Sequence, residues 1–69
     1  MTAFGRELER LRGEKQVTTI EVARGVGIPQ SRYRELEKGI RVPTDGQIQR
    51  LENYYGVASG SLSGLWEAQ

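Results

Sequence analysis

Two capping boxes and the glycines that follow them divide this chain into short helical segments. In a capping box, a threonine hydroxyl accepts from the amide three residues later, and the side chain at that position reaches back. Thr18 with Glu21 and Thr44 with Gln47 both have this spacing, and apolar residues at helical intervals follow each pair. Because the sequence has no strand-length alternating runs, it predicts an all-helical fold.

Three helices are predicted in the N-terminal part of the chain. The first covers residues 1–15, and the second follows Thr18 until Gly25 and Gly27 stop it, because glycine readily adopts the left-handed conformation at a helix end. The third covers residues 29–38, since proline suits the first helical position, and it ends at Gly39. The residues expected to enter the core from helices two and three are Val22, Ala23, Val26, Tyr33, Leu36 and Ile40.

Two further helices are predicted in the C-terminal part. They follow a connecting loop at residues 41–43. The fourth helix begins after the second capping box and ends at Gly56, and the fifth is capped by Ser59 or Ser61. The apolar residues of these two helices are Ile48, Leu51, Tyr55, Leu62, Leu65 and Trp66.

The length and composition exclude several classes of protein. A chain of 69 residues forms one domain, here 1–69, which buries only about 60% of its unfolded surface. With no histidine, no cysteine and a single aspartate, it cannot assemble a catalytic constellation, so we predict a non-enzyme with no cofactor and no metal. It lacks both a signal-peptide core and the roughly 18 apolar residues of a membrane span, so we expect a cytoplasmic protein.

Positive charge is concentrated in one segment, although the formal net charge of the whole chain is only +1. Residues 24–41 contain two acids, Glu35 and Glu37, and five cations. Such a local excess is expected where a polyanion binds. The five cations are Arg24, Arg32, Arg34, Lys38 and Arg41.

Helices two and three are joined by only a few residues, at 25–29. Two helices joined this tightly cross steeply, so the first supports the second and lets it enter a DNA major groove. On a helical wheel, the side of helix three away from Tyr33 and Leu36 carries hydrogen-bonding side chains that can read base edges. The residues on that side are Gln30, Ser31, Arg34, Glu35 and Lys38, and the predicted phosphate contacts from cationic side chains are Arg24, Arg32, Lys38 and Arg41.

Several short motifs resemble one family. They are Phe4-Gly5…Leu8…Leu11-Arg12, Val17-Thr18-Thr19…Val22-Ala23, Val26-Gly27-Ile28, Tyr33…Leu36-Glu37-Lys38-Gly39, Pro43-Thr44, Ile48…Leu51 and Tyr55-Gly56-Val57. With this pattern the sequence resembles the phage repressor and Cro-like (XRE-type) helix-turn-helix family. The resemblance implies a five-helix, lambda-repressor-like domain with its core at about 4–62 and its helix-turn-helix at about 18–38.

The resemblance also implies roles for individual residues. Thr19 takes the place of a glutamine that holds phosphate, although it could instead share capping with Thr18. Gln30, Ser31 and Arg34 match base-contacting positions with Glu35 at a further one, Lys38 matches a phosphate contact, and Arg12 with Glu37 matches a partly buried ion pair. For Glu35, pairing with Arg32 or Arg34 is the alternative.

Four positions depart from the family pattern. Thr19 replaces the usual glutamine, and Gln16 stands where a glycine usually ends the first helix. Pro29 occupies the usual N-cap of the third helix. Glu52 replaces a small buried alanine, so we expect looser packing of the fourth helix or an exposed glutamate.

The predicted function is sequence-specific binding of double-stranded DNA as a transcriptional regulator, most simply a repressor, acting as a symmetric homodimer on a palindromic operator. A dimer interface is expected from the C-terminal residues Tyr54, Tyr55, Leu62, Leu65 and Trp66, because so small a protein should not leave them exposed. The alternative is a monomer in which Trp66 folds back on the core. The alternative function is a protein-interaction module, such as an antitoxin, an antirepressor or a polymerase-binding factor.

Overall fold

The computed structural model describes residues 2–67, without the side chain of residue 67. It contains five α-helices and no strand within this range, so the predicted all-helical fold of five helices is confirmed. Met1, which the sequence placed in the first helix, lies outside the described residues. The helices are α1 (Ala3–Lys15), α2 (Thr19–Val26), α3 (Gln30–Lys38), α4 (Asp45–Tyr55) and α5 (Ser61–Glu67).

The starts of α2 and α4 are fixed by the two predicted capping boxes, both of which are complete. The hydroxyl of Thr2 caps α1 by accepting from the Gly5 amide at 2.9 Å. At the other end of α1, Gln16 adopts the left-handed conformation with φ of 58°, which is uncommon for a residue that has a Cβ. Gln16 therefore takes the left-handed conformation that glycine adopts most readily at a helix end.

Two predicted helix boundaries around the α2–α3 connection are wrong by one or two residues. Gly25 lies inside α2, and Gly27 alone ends the helix in the left-handed conformation with φ of 74°. Pro29 is the N-cap of α3, because its ψ of 145° is extended and the first helical residue is Gln30. The connection is therefore residues 27–29, which is shorter than the predicted 25–29.

The core is built by residues from all five helices. The side chain of Tyr33 lies fully buried at its centre. Ile40, predicted to be in the core, is instead 70% exposed. The left-handed conformation of Gly39 redirects the chain, so Ile40 no longer continues the apolar face of α3. The buried apolar residues are Phe4, Leu8, Leu11, Val22, Ala23, Val26, Tyr33, Leu36, Ile48, Leu51 and Leu62.

Glu52 is buried at the corner between α4 and α5, so the expectation of an exposed glutamate is wrong. Its carboxylate accepts from the backbone amides of Gly60 at 2.9 Å and Leu62 at 3.0 Å. The side chain is only 3% exposed. The sequence predicted that Ser59 or Ser61 caps α5. Instead, Glu52 of α4 binds backbone amides at the start of α5, and the Ser61 hydroxyl donates to the Ala58 carbonyl.

Candidate nucleic-acid interface

The polar side of α3 faces solvent because the opposite side of the helix is held in the core. Tyr33, Leu36 and Glu37 are buried, and Ser31 and Arg34 on the other side are exposed. α3 packs on both α1 and α2, which together support its inner face. The exposed orientation required of a recognition helix is therefore present.

Gln30 is the first residue of α3, and its amide is held by α2. Its Nε2 donates to the Oγ1 of Thr19 at 2.9 Å. The capping hydroxyl of α2 belongs to Thr18, which accepts from the Glu21 amide at 3.2 Å. Thr19 therefore connects α2 to α3, and its hydroxyl orients a side chain predicted to contact bases.

Arg34 and Lys38 form a cationic row along the exposed side of α3. A groove of about 510 Å³ lies on one side of this row, between α1, α2 and α3, and Thr19 and Gln30 contribute to its lining. A second groove, of about 330 Å³, lies on the other side, where Ile40 forms part of the wall. Arg34 and Lys38 border both grooves, and both side chains are exposed.

Glu35 pairs with Arg41, and neither Arg32 nor Arg34 is its partner as the sequence had suggested. Arg41 lies in the loop after α3, and its Nε donates to Glu35 Oε1 at 2.6 Å. Both side chains remain more than one third exposed. Two residues predicted to contact DNA separately are thus joined before any DNA is bound.

Arg12 and Glu37 form the ion pair that the family resemblance implies. Arg12 Nε donates to Glu37 Oε2 at 2.7 Å, and Nη2 donates to Oε1 at 3.3 Å. The hydrogen bond to Glu37 raises the pKa of Arg12 above its ordinary value. Because the Glu37 side chain is only 9% exposed, this pair fixes α3 against α1 with a largely desolvated carboxylate.

Two further cations predicted to contact phosphate, Arg24 and Arg32, are exposed near the ends of α2 and α3. Arg50 was missed by the sequence reasoning. From α4 its Nη1 donates to the Val26 carbonyl at 3.1 Å, at the C-terminus of α2. A cation bound to terminal carbonyls stabilises a helix end. A separation of 24 residues left no local signal in the sequence for this contact.

The predicted dimer residues pack mainly against their own domain. Leu62 is 1% exposed, so its assignment to a dimer interface is wrong. The ring of Trp66 stands edge-on to Phe4 with centroids 5.9 Å apart, as in the monomer alternative. The Tyr54 ring lies against Gly25 and edge-on to Tyr55. Tyr54, Tyr55, Leu65 and Trp66 are all half-buried against the core.

The fold and this surface define a compact helix-turn-helix domain of five helices. The family model described as "Helix-turn-helix domain" matches residues 3–63, and the chain belongs to this family. It is 32% identical over 59 residues to the cryptic phage CTXphi transcriptional repressor RstR of Vibrio cholerae. That alignment covers 86% of this chain and 53% of the relative, so the chain spans about half of the relative's length.

No solved structure matches the chain significantly. None of the helices within residues 2–67 is long and apolar enough to cross a membrane.

Proposed function

We propose that this protein is a transcriptional regulator, most simply a repressor, that binds double-stranded DNA by inserting α3 into the major groove. The observation that carries the proposal is the exposed row of Arg34 and Lys38 on a helix whose opposite face is locked in the core. The major groove, about 12 Å wide, admits an α-helix. Similarity to a phage transcriptional repressor supports the same class of function and a cytoplasmic, DNA-associated location.

The proposed base contacts are made by Gln30, Ser31, Arg34 and Glu35. An exposed arginine donates two hydrogen bonds to guanine, and glutamine pairs in the same bidentate way with adenine. Because one N–H of Gln30 is already used by Thr19, its other N–H and its carbonyl oxygen supply the donor and acceptor for adenine. Glu35 offers an acceptor for the amino group of cytosine.

The proposed phosphate contacts surround these base-reading residues. Arg24, Arg32 and Lys38 are exposed, and Thr19 lies at the N-terminus of α2, where backbone amides favour an anion. Affinity should therefore fall with salt, with a log–log slope of roughly −0.9 for each phosphate neutralised. Arg41 belongs to the same cationic segment, but its guanidinium already pairs with Glu35.

A symmetric dimer on a palindromic operator completes the proposal. A single recognition helix reads few base pairs, and two copies about 34 Å apart would double the contacts on adjacent turns of DNA. The half-exposed edges of Tyr54, Tyr55, Leu65 and Trp66 remain the proposed contribution of the C-terminal part to the interface. Leu62 is not part of it, since its side chain is buried.

Selection of bound duplexes from a random library tests the proposal, followed by affinity measurements with Arg34→Ala. We expect a two-fold symmetric motif, and we expect Arg34→Ala to cost about 1–3 kcal/mol and relax specificity at one or two positions. Arg10→Ala is the matched control, because Arg10 is an exposed arginine of α1 that pairs with Glu7 and Glu14. Enrichment of no motif, with no salt-sensitive retention of DNA, would overturn the proposal.

That negative result would favour the protein-interaction module. The near-neutral charge of the chain and the two glutamates on α3 are the features that favour such a module. In the structure Glu37 is buried against Arg12, and Glu35 is paired with Arg41. Neither therefore presents an unpaired negative charge on the surface, and the geometry supports DNA as the partner.

A further inference from the structure

The ion pair between Glu35 and Arg41 resolves a difficulty in the proposed interface. A lone carboxylate on the DNA-facing side of α3 would be repelled by the phosphates that surround the major groove. Arg41 reaches this carboxylate from the loop six residues later, at 2.6 Å from its Nε to Oε1. The pair has no net charge, and its Glu35 lines the groove that Arg34 and Lys38 also border.

We propose that Arg41 is a positioning residue, and that Glu35 and Arg41 act together to read a cytosine. The inference rests on the proposed function and deepens it. Arg41 engages Oε1, and within residues 2–67 the structure gives Glu35 Oε2 no hydrogen bond. Oε2 therefore remains to accept from the exocyclic amino group of cytosine, the one donor that this base presents in the major groove.

This arrangement changes the role first assigned to Arg41. As an independent phosphate contact, Arg41 would add affinity equally on every sequence. As the partner of Glu35, it neutralises and orients the carboxylate, so its removal should act through Glu35: it weakens binding by leaving the charge unneutralised, it abolishes the preference for cytosine, and it should cost nothing once Glu35 is also replaced. The two roles differ in sequence dependence, which makes them separable by experiment.

The test is a double-mutant cycle in DNA affinity with Glu35→Ala, which removes the acceptor, Arg41→Ala and the double variant. Each protein is measured on the operator selected by the wild type and on operators changed at each base pair. We expect the wild type to prefer cytosine at one half-site position by about 5- to 150-fold, the discrimination typical of one good base contact. Both single variants should lose this preference, and the double variant should lose nothing more.

Two further variants distinguish a positioning role of Arg41 from a phosphate contact. Arg41→Lys keeps the charge and should restore part of the preference. Arg32→Ala is the matched comparison, because it removes an exposed α3 arginine, and its loss should be uniform across sequences and additive with Glu35→Ala. If Arg41→Ala caused equal losses in the wild-type and Glu35→Ala backgrounds and left the cytosine preference of the wild type intact, Arg41 would be a phosphate contact and the inference would be overturned.

Failure of the inference and failure of the proposed function look different. A wild-type protein that enriches no DNA motif contradicts DNA binding itself, whatever Arg41 does. A wild-type protein that binds a motif without any cytosine dependence on Glu35 contradicts only the pair. Because both side chains are more than one third exposed, we expect all variants to fold, which thermal unfolding by circular dichroism verifies.

Discussion

The crossing of α1 with α3 and the corner between α4 and α5 each bury a glutamate, but they satisfy it with different partners. At the crossing, Glu37 accepts from the guanidinium of Arg12. At the corner, Glu52 accepts from the backbone amides of Gly60 and Leu62. A buried carboxylate without partners would be very costly, so each glutamate depends on the partners that it has.

The Arg12–Glu37 ion pair and the Glu52 cap position different parts of the molecule. The side-chain pair joins α1 to α3 and so fixes the helix that carries the proposed reading surface. The amide cap attaches α5 to α4, which allows Leu62 to complete the core and Trp66 to cover Phe4. One region therefore positions the interface, and the other closes the domain behind it.

The largest predicted effect comes from a substitution that disturbs the backbone contact between α1 and α3, and not their ion pair. A Cβ on Gly5 would lie 2.8 Å from the Glu37 carbonyl carbon and closer still to its oxygen, so α1 and α3 would have to separate. We expect Gly5→Ala to lower the free energy of unfolding by about 3 kcal/mol or more, the upper end for overpacking. Urea unfolding followed by circular dichroism measures this change.

Gly13→Ala is the control for this prediction because it lies in the same helix. A Cβ at Gly13 would meet no heavy atom within 4 Å. Since alanine is a better helix former than glycine, Gly13→Ala should be neutral or stabilising by up to about 1 kcal/mol. Equal effects of the two substitutions would contradict a backbone contact between α1 and α3 at Gly5.

The next largest effect is expected from removing the glutamate that joins α4 to α5. Glu52→Ala leaves the amides of Gly60 and Leu62 without their acceptor, and we expect a loss of about 2–4 kcal/mol in the free energy of unfolding. Glu52→Gln keeps a carbonyl acceptor and should lose less. Trp66 is the sole tryptophan, so its fluorescence in urea titrations reports the attachment of α5. An Ala variant as stable as wild type would show that the cap is dispensable.

The same comparison explains how much of the fold could be predicted from the sequence. Capping boxes are local patterns, and both were found with the correct residues. The cap of α5 by Glu52 spans eight to ten residues between two elements, and no local pattern encodes it. Ile40 was misplaced because helical periodicity was continued beyond Gly39, where the chain changes direction.

The candidate site shows the same division. The exposed face of α3 follows from helical periodicity, since Tyr33 and Leu36 fix which side is buried. The partner of Glu35 does not, because Arg41 lies in a loop whose path is set by tertiary packing. Charge spacing along the helix suggested Arg32 or Arg34 instead. Sequence therefore indicates which residues share a face, and the structure determines which of them bind each other.

The smallest predicted effect concerns Tyr33 and Tyr55, which link α3 to α4 between the two regions. Their hydroxyl groups are 2.6 Å apart. Burial raises the pKa of Tyr55 to about 12, and it raises the pKa of Tyr33 as well. Both tyrosines ionise near pH 10 when unfolded. Between pH 10 and 12 the unfolded chain thus loses protons that the folded protein keeps, and stability should fall as pH rises through this window.

Measurements of the free energy of unfolding between pH 7 and 11 test this prediction. Tyr55→Phe removes one hydrogen bond, so at pH 7 we expect a loss of about 1 kcal/mol. Its alkaline decline should be shallower than that of the wild type, because only Tyr33 of the pair remains to titrate. Tyr54→Phe is the matched control, since Tyr54 takes no part in the Tyr33–Tyr55 hydrogen bond. If wild type and Tyr55→Phe declined equally above pH 10, burial would not raise the pKa of Tyr55, and the predicted pH dependence would be contradicted.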